Sequence, residues 1–90
     1  MLEAFDSTRN FDMARSLILD IAKALVDQPE AVRIETLPDG EGVILRLKVA
    51  QSDIGKIIGK QGRTVRTMRT ILAASSMKSQ IRFSLDIQTE

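Results

Sequence analysis

Two glycines, Gly59 and Gly62, separate two segments of helical apolar spacing, and this arrangement constrains the fold more than any other feature. The apolar spacing runs through residues 54–58 before the pair and 65–72 after it. Because glycine permits sharp turns and close approach of a ligand to the main chain, the pair predicts a tight connection between two helices. Lys60 and its basic neighbours favour an anion as the ligand, although a glycine pair can also merely close a turn.

The composition is that of a small globular protein without the side chains that most enzymes need. Ninety residues suffice for one domain with one modest core. The chain has no histidine and no cysteine, which are the usual metal ligands, nucleophiles and neutral-pH proton carriers. We therefore predict a non-enzymatic protein without disulfides, metal or cofactor.

The chain shows no sign of a membrane segment or a secretion signal. No run of about 18 apolar residues is present, which predicts that no helix spans a membrane. Glu3 and Asp6 lie where a signal peptide would carry basic residues. These features predict a cytoplasmic protein without membrane insertion.

Charge is divided unevenly along the chain, although the net charge is only +1. Residues 1–45 hold four basic and nine acidic residues, whereas residues 46–90 hold nine basic and three acidic ones. Five of the basic residues lie from Lys56 to Arg69, with no acidic residue among them. This polarity predicts a surface that faces a polyanion, although a run this short could also simply solvate a helix.

The first half of the chain predicts one helix and two strands. Residues 1–9 have no clear pattern and predict a loose or partly helical arm. Asn10 is a candidate N-cap for a helix that ends before Pro29, because proline disfavours helix at the preceding residue. Alternating apolar residues then predict a short strand over 32–36 and a longer strand over 43–49, joined by a glycine-containing turn.

The second half predicts two helices and a final strand. Ser52 and Asp53 supply a start for the first helix, and the second helix begins after Gly62. Residues 81–87 alternate as a strand. The order α-β-β-α-α-β predicts a single α+β domain over residues 10–90, with three helices packed on one face of a three-stranded mixed sheet. A crossover through two helices would make the second and third strands parallel. The face of the sheet opposite the helices should be exposed to solvent.

The segment Ile58-Gly59-Lys60-Gln61-Gly62 between two short helices resembles the GXXG loop of a KH domain. The predicted element order resembles the type II arrangement of that domain, over roughly residues 11–88. The longer segment from Asp53 to Arg63, with Val49-Ala50 before it and residues 23–29 upstream, is similar to the small stand-alone bacterial KH proteins of the KhpA family. Those proteins commonly have a proline near position 51, where this chain has glutamine.

The resemblance implies single-stranded RNA as the ligand, with the loop clamping the backbone of about four nucleotides. The two glycines would let the main chain touch phosphates, Lys60 would add charge, and Gln61 would be a replaceable polar spacer. Arg63 and Arg66 would meet the RNA backbone from the second helix, and apolar side chains would shape a groove beneath the bases. The implied RNA-binding residues are Gly59, Lys60, Gln61, Gly62, Arg63, Arg66, Ile54, Gly55, Lys56, Ile57, Ile58 and Val65.

Other kinds of nucleotide site fit the sequence less well. The chain has three phenylalanines and no tyrosine or tryptophan, which disfavours a protein that stacks bases on an aromatic platform. A nucleotide-phosphate loop is also disfavoured, since Gln61 follows Lys60 where that loop needs serine or threonine. Gly55 fits a close helix contact as well as it fits a ligand contact.

The KhpA resemblance implies partners and a cellular role as well. It implies a homodimer and a complex with a larger KH-domain protein of the KhpB or Jag type. It further implies an RNA chaperone or post-transcriptional regulator linked to cell shape and to envelope and peptidoglycan homeostasis. Two alternatives stay open: a protein-interaction module with a vestigial loop and an acidic first helix that docks a partner, and a ribosome-assembly factor that uses the same loop.

Overall fold

The computed structural model, which describes residues 2–90 and the side chains of residues 11–78 and 80–90, has the predicted α-β-β-α-α-β order. Short 3₁₀ turns connect several of its helices and strands. The type II KH arrangement expected from the sequence is confirmed. The bounds are α1 (Leu2–Leu25), β1 (Arg33–Asp39), β2 (Gly42–Val49), α2 (Ile54–Ile58), α3 (Arg63–Ser79) and β3 (Phe83–Thr89).

β2 lies at the centre of a three-stranded sheet in the order β1-β2-β3. β1 runs antiparallel to it, with Arg33 opposite Lys48. β3 runs parallel to it, with Phe83 opposite Val43. The connection from β2 to β3 passes through α2 and α3, which gives the chain the length that a parallel pair requires. The predicted mixed sheet is therefore confirmed.

The three helices cover one face of the sheet, and the core lies between the two layers. Alternation along β2 directs Leu45, Leu47 and Val49 into this core, where none of them has exposed surface. Each such side chain stabilises the fold by about 1.5–3 kcal/mol. The buried apolar residues that surround them include Ala14, Ile18 and Ala22 of α1, Ile57 of α2, Val65, Met68 and Leu72 of α3, and Phe83 and Leu85 of β3.

The opposite face of the sheet is polar, as predicted, and its charged side chains pair with one another. Because these basic side chains have acidic partners on the same face, this surface offers little net charge to a polyanion. The pairs are Lys48–Glu35 at 3.0 Å, Arg46–Asp86 at 3.1 Å and Arg33–Glu90 at 2.8 Å.

α1 begins at Leu2, so the prediction that Asn10 caps its N-terminus is wrong. Residues 2–9 contain neither proline nor glycine, and the backbone continues as a helix through Asn10. The division between an arm and a domain at residue 10 stays a prediction, and Met1 lies outside the described residues.

α1 ends at Leu25, and Pro29 then opens a short 3₁₀ turn, in agreement with the predicted stop. α1 has 24 residues, but charged side chains recur along it. In the described part of the chain, no helix is both long enough and apolar enough to cross a membrane.

Candidate nucleic-acid interface

The loop between α2 and α3 turns through backbone conformations that favour glycine. Gly59 ends α2 at φ 77° and ψ 172°, a region that is essentially restricted to glycine. Gln61 (φ 58°, ψ 26°) and Gly62 (φ 73°, ψ 16°) both adopt the left-handed conformation. The N–H of Gly62 donates to the carbonyl of Gly59 at 3.1 Å and closes the turn. The backbone therefore selects glycine at both ends of the loop.

Gly59 is also required for reasons of space, because Thr64 packs directly against it. A Cβ on residue 59 would lie 2.7 Å from the Thr64 Cβ and 2.9 Å from the Thr64 nitrogen, and it would overlap the Thr64 Oγ1. At Gly62 a Cβ would meet only the Nη2 of Arg66, at 3.9 Å, so only the left-handed backbone selects glycine there. Sequence reasoning missed Thr64, since no motif or periodicity marks it.

Gln61 is held by two arginines of α3. The Nη2 of Arg66 donates to the Gln61 carbonyl oxygen at 3.1 Å. The Nη2 of Arg63 donates to the Gln61 Oε1 at 3.3 Å. A left-handed backbone costs a residue with a Cβ about 1–2 kcal/mol, and these contacts offset that cost. The sequence-based expectation that Gln61 is a replaceable polar spacer stays a prediction, since the shorter of the two contacts is made to its backbone rather than to its side chain.

The apolar residues predicted for the groove divide between core and surface. Ile57 has no exposed surface and Val65 is only 9% exposed, so both support the loop from within the core. Ile54 is half-buried and packs against the same core. Ile58, at 41% exposed, is an apolar side chain that a ligand can reach directly beside Gly59.

Gly55 faces open space on the exposed side of α2. A Cβ at this position would meet no atom within 4 Å, so the alternative that Gly55 permits close helix packing is wrong. Its carbonyl oxygen accepts the N–H of Gly59 at 2.9 Å, where α2 ends at the loop. The missing side chain leaves the surface of α2 bare beside the loop.

Lys56 is engaged by two carboxylates. Its Nζ lies 2.9 Å from the Asp27 Oδ2 and 3.5 Å from the Asp53 Oδ1. The hydrogen bond to Asp27 and the negative charge of that carboxylate raise the pKa of Lys56. Because this charge is compensated within the domain, Lys56 attracts an anion less than a lysine without acidic partners would.

Asp53 is buried at 1% exposure and joins the start of α2 to the segment that follows α1. Its carboxylate accepts the N–H groups of Asp27 (3.2 Å) and Gln28 (3.0 Å) and makes no capping bond to α2. Burial alone would raise the pKa of Asp53, but these hydrogen bonds and the charge of Lys56 outweigh it and lower the pKa. The predicted helix start is correct, since α2 begins at Ile54, but the side chain serves a contact that is distant in sequence.

Positive charge gathers around the loop and along α3. Lys60, Arg63, Arg66 and Arg69 are all exposed, and among the described side chains none of them forms an ion pair with a carboxylate. The Nη2 of Arg69 donates to the Leu85 carbonyl at 3.3 Å, at the open edge of β3. This side of the domain therefore presents uncompensated cations, whereas the polar face of the sheet is largely neutralised.

Comparison with known proteins assigns the family. A family profile described as "KhpA/KhpB, KH domain" matches residues 15–87, which include α2, the glycine loop and α3. The chain belongs to the KhpA/KhpB KH-domain family. The resemblance stated from the residues around Gly59 is thereby confirmed.

Individual relatives of the KhpA/KhpB family agree with this assignment. Three proteins named "RNA-binding protein KhpA" illustrate the similarity. The Treponema pallidum protein is 51% identical over 76 residues, which cover 83% of this chain and 94% of that protein. The Chlamydia pneumoniae protein is 47% identical over 70 residues (78% and 90%), and the Caldanaerobacter subterraneus protein is 44% identical over 71 residues (79% and 95%).

These names describe RNA-binding proteins, and none of the three names an enzymatic activity. No solved structure matched the chain significantly.

Proposed function

We propose that this KhpA/KhpB-family chain binds single-stranded RNA through the loop Gly59–Gly62 and the adjoining surfaces of α2 and α3. The observation that carries the proposal is the loop itself, whose two glycines adopt positive φ beside exposed cations. Glycine lets the main chain approach a phosphate closely, and the cations supply the attraction. The names of the relatives, which describe RNA-binding proteins, support the same ligand.

The proposed contact to the bases is aliphatic. Phe11 and Phe83 pack against each other with ring centroids 5.7 Å apart, and Phe83 is buried, so this pair does not offer a stacking platform. Ile58 and the half-buried Ile54 lie on α2 beside the loop instead. The loop would clamp the backbone of about four nucleotides while these side chains contact the bases.

The cellular role that we propose is that of a cytoplasmic RNA chaperone or post-transcriptional regulator linked to cell shape and to envelope and peptidoglycan homeostasis, as the family resemblance implies. A ribosome-assembly factor would use the same loop but would bind ribosomal RNA predominantly. Crosslinking in cells followed by sequencing of the bound RNA separates the two roles. Predominantly messenger or small regulatory RNA supports the proposal, and predominantly ribosomal RNA contradicts it.

We further propose that the chain acts as a homodimer or with a larger KH-domain protein of the KhpB or Jag type. A site for about four nucleotides binds weakly alone, with roughly micromolar affinity, and a second site raises the effective affinity. Exposed apolar side chains on α1 and α3 support a protein contact: Met13, Leu17 and Met77 are 63%, 44% and 83% exposed. Light scattering over a range of protein concentrations tests self-association, and a mass of one chain throughout contradicts the homodimer.

The alternative of a protein-interaction module with a vestigial loop rests on the same exposed side chains. It predicts that partner binding is retained while RNA binding is absent. A titration of the purified chain with single-stranded RNA therefore separates it from the proposed function.

The salt dependence of that titration tests the proposal most simply. If about three phosphates are neutralised, the logarithm of the association constant should fall with the logarithm of salt concentration at a slope of about −2. A fully paired RNA of the same composition is the matched control and should bind more weakly, because its bases are not accessible to the aliphatic side chains of α2. Equal binding of both RNAs, or a slope near zero, contradicts the proposal.

A further inference from the structure

Gln61 has a side chain but adopts a backbone conformation that normally belongs to glycine, and its carbonyl oxygen accepts a hydrogen bond from the guanidinium of Arg66. We propose that Arg66 is a positioning residue for the loop: its guanidinium holds the Gln61 carbonyl and thereby fixes the backbone that receives the RNA phosphate. This inference rests on the proposed RNA-binding function. It assigns to Arg66 a role different from the direct contact with RNA that the family resemblance implies.

The hydrogen bond between Arg66 and Gln61 lies at the turn of the loop. Arg66 lies on α3, five residues after Gln61, and its Nη2 reaches back 3.1 Å to the Gln61 carbonyl oxygen. The same Nη2 is the atom that a Cβ on Gly62 would approach, at 3.9 Å. The guanidinium therefore lies across the end of the loop, over the peptide group that joins Gln61 to Gly62.

That peptide group also closes the turn. Its carbonyl belongs to Gln61 and accepts from Arg66, while its N–H belongs to Gly62 and donates to the Gly59 carbonyl at 3.1 Å. Fixing the carbonyl therefore fixes the direction of the N–H. A charged donor makes a stronger hydrogen bond than a neutral one, and a left-handed backbone is disfavoured for glutamine, so the contact offsets a cost inherent in this loop.

Arg63 makes a different contact, because its guanidinium meets the Gln61 side chain rather than the backbone. Loss of that contact would free the side chain and leave the peptide group in place. Arg66 is thus the arginine whose removal should change the shape of the loop.

The test is the substitution Arg66→Lys. Lysine keeps the positive charge but lacks the planar guanidinium that spans the loop. If the loop then adopts its binding conformation for only a tenth to a third of the time, RNA affinity should fall roughly three- to tenfold. The salt slope should stay unchanged, because the loss of one phosphate contact would reduce it by about 0.7. Arg82→Lys, at an exposed position of the chain outside the loop, is the matched control and should bind like the wild type.

A second substitution, Gln61→Asn, should rescue RNA binding in the Arg66→Lys variant. Asparagine tolerates the left-handed conformation better than glutamine and keeps an amide side chain. In the Gln61→Asn background, Arg66→Lys should therefore cost less than about twofold in affinity, because the loop no longer depends on the guanidinium. An equal loss in both backgrounds means that Arg66 contacts RNA directly and overturns the proposal.

Nuclear magnetic resonance of the protein without RNA gives a second measurement. Arg66→Lys should shift the backbone resonances of Lys60, Gln61 and Gly62 and increase their fast motion, while the core resonances stay in place. Unchanged loop resonances overturn the positioning role, whether or not the wild type binds RNA. Changed loop resonances in a chain that does not bind RNA would uphold the role in shaping the loop and refute the proposed function alone.

Discussion

Gly59 and Thr64 lie so close together that residue 59 has no room for a side chain: a Cβ there would be 2.7 Å from the Thr64 Cβ. The first turn of α3 thus packs on the first residue of the loop. Gly62, at the other end of the loop, has space around it but also needs a positive φ. The two glycines of the motif are therefore required for different physical reasons.

This difference predicts unequal costs for two alanine substitutions. Gly62→Ala should lower the free energy of unfolding by about 1–2 kcal/mol, which is the cost of a left-handed residue with a Cβ. Gly59→Ala should cost about 3 kcal/mol or more, because its backbone region is even less accessible and the overlap with Thr64 adds to the strain. Urea denaturation of both variants measures the difference, and equal losses would contradict the packing of Thr64 on Gly59.

The sequence was sufficient to predict the order of the elements, the parallel strands and the loop, because each depends on local periodicity or on glycine. It was insufficient where a contact joins distant residues. The carboxylate of Asp53 bonds to the amides of Asp27 and Gln28, which lie 26 and 25 residues away, and no pattern in the chain indicates this.

The start of α1 was missed for a related reason. Asn10 has the character of a cap, and only the absence of helix breakers over residues 2–9 argued for an earlier start. The division of the apolar groove residues also required the structure, since Ile57 and Ile58 are adjacent and equally apolar. Helix geometry turns one into the core and the other toward solvent.

Ile57 and Ile58 make a matched pair for separating stability from binding. Ile57→Ala should lower the free energy of unfolding by about 2–5 kcal/mol, because the side chain is fully buried. Ile58→Ala should cost about 1 kcal/mol or less in stability, since 41% of the residue is exposed. RNA affinity should fall by a few-fold in the folded Ile58→Ala variant. Wild-type affinity in that variant would exclude Ile58 from the interface.

Gly55 offers a test of where the ligand lies. Alanine meets no neighbouring atom at this helical position and should stabilise the protein by about 0.5–1 kcal/mol. If RNA passes over the bare surface of α2, the same substitution should weaken RNA binding. A variant that is more stable and binds RNA like the wild type would place the ligand away from Gly55.

The lowered pKa of Asp53 predicts that the stability of the protein depends on pH. A carboxyl group with a lower pKa in the folded state stabilises the protein fully above its ordinary value of 3.8, and that stabilisation is lost as the pH falls through the lowered pKa. Asp53→Asn should therefore melt at a lower temperature than the wild type at pH 7, and this gap in melting temperature between variant and wild type should narrow below about pH 4. Asp12→Asn, at an exposed position on α1, is the control and should show no such gap. A gap for Asp53→Asn that is constant with pH would contradict the proposed role of its charge.

The central claim is that the loop Gly59–Gly62 holds the RNA. It is tested most directly by replacing Lys60 and Gln61 together with aspartate. Aspartate tolerates the left-handed backbone of residue 61, so the fold should survive the change. The control is Lys78→Asp with Gln80→Asp at the far end of α3, which makes the same change in charge and also includes a left-handed glutamine.

The measurement is the affinity of each folded variant for a single-stranded RNA oligonucleotide at fixed salt. We expect the loop variant to bind at least about tenfold more weakly than the wild type, because one phosphate contact is lost and two negative charges face the RNA. The control variant should stay within about threefold of the wild type, since its charges lie away from the loop. Unchanged affinity in a folded loop variant, or an equal loss in the control, would contradict the claim that this loop is the RNA-binding site.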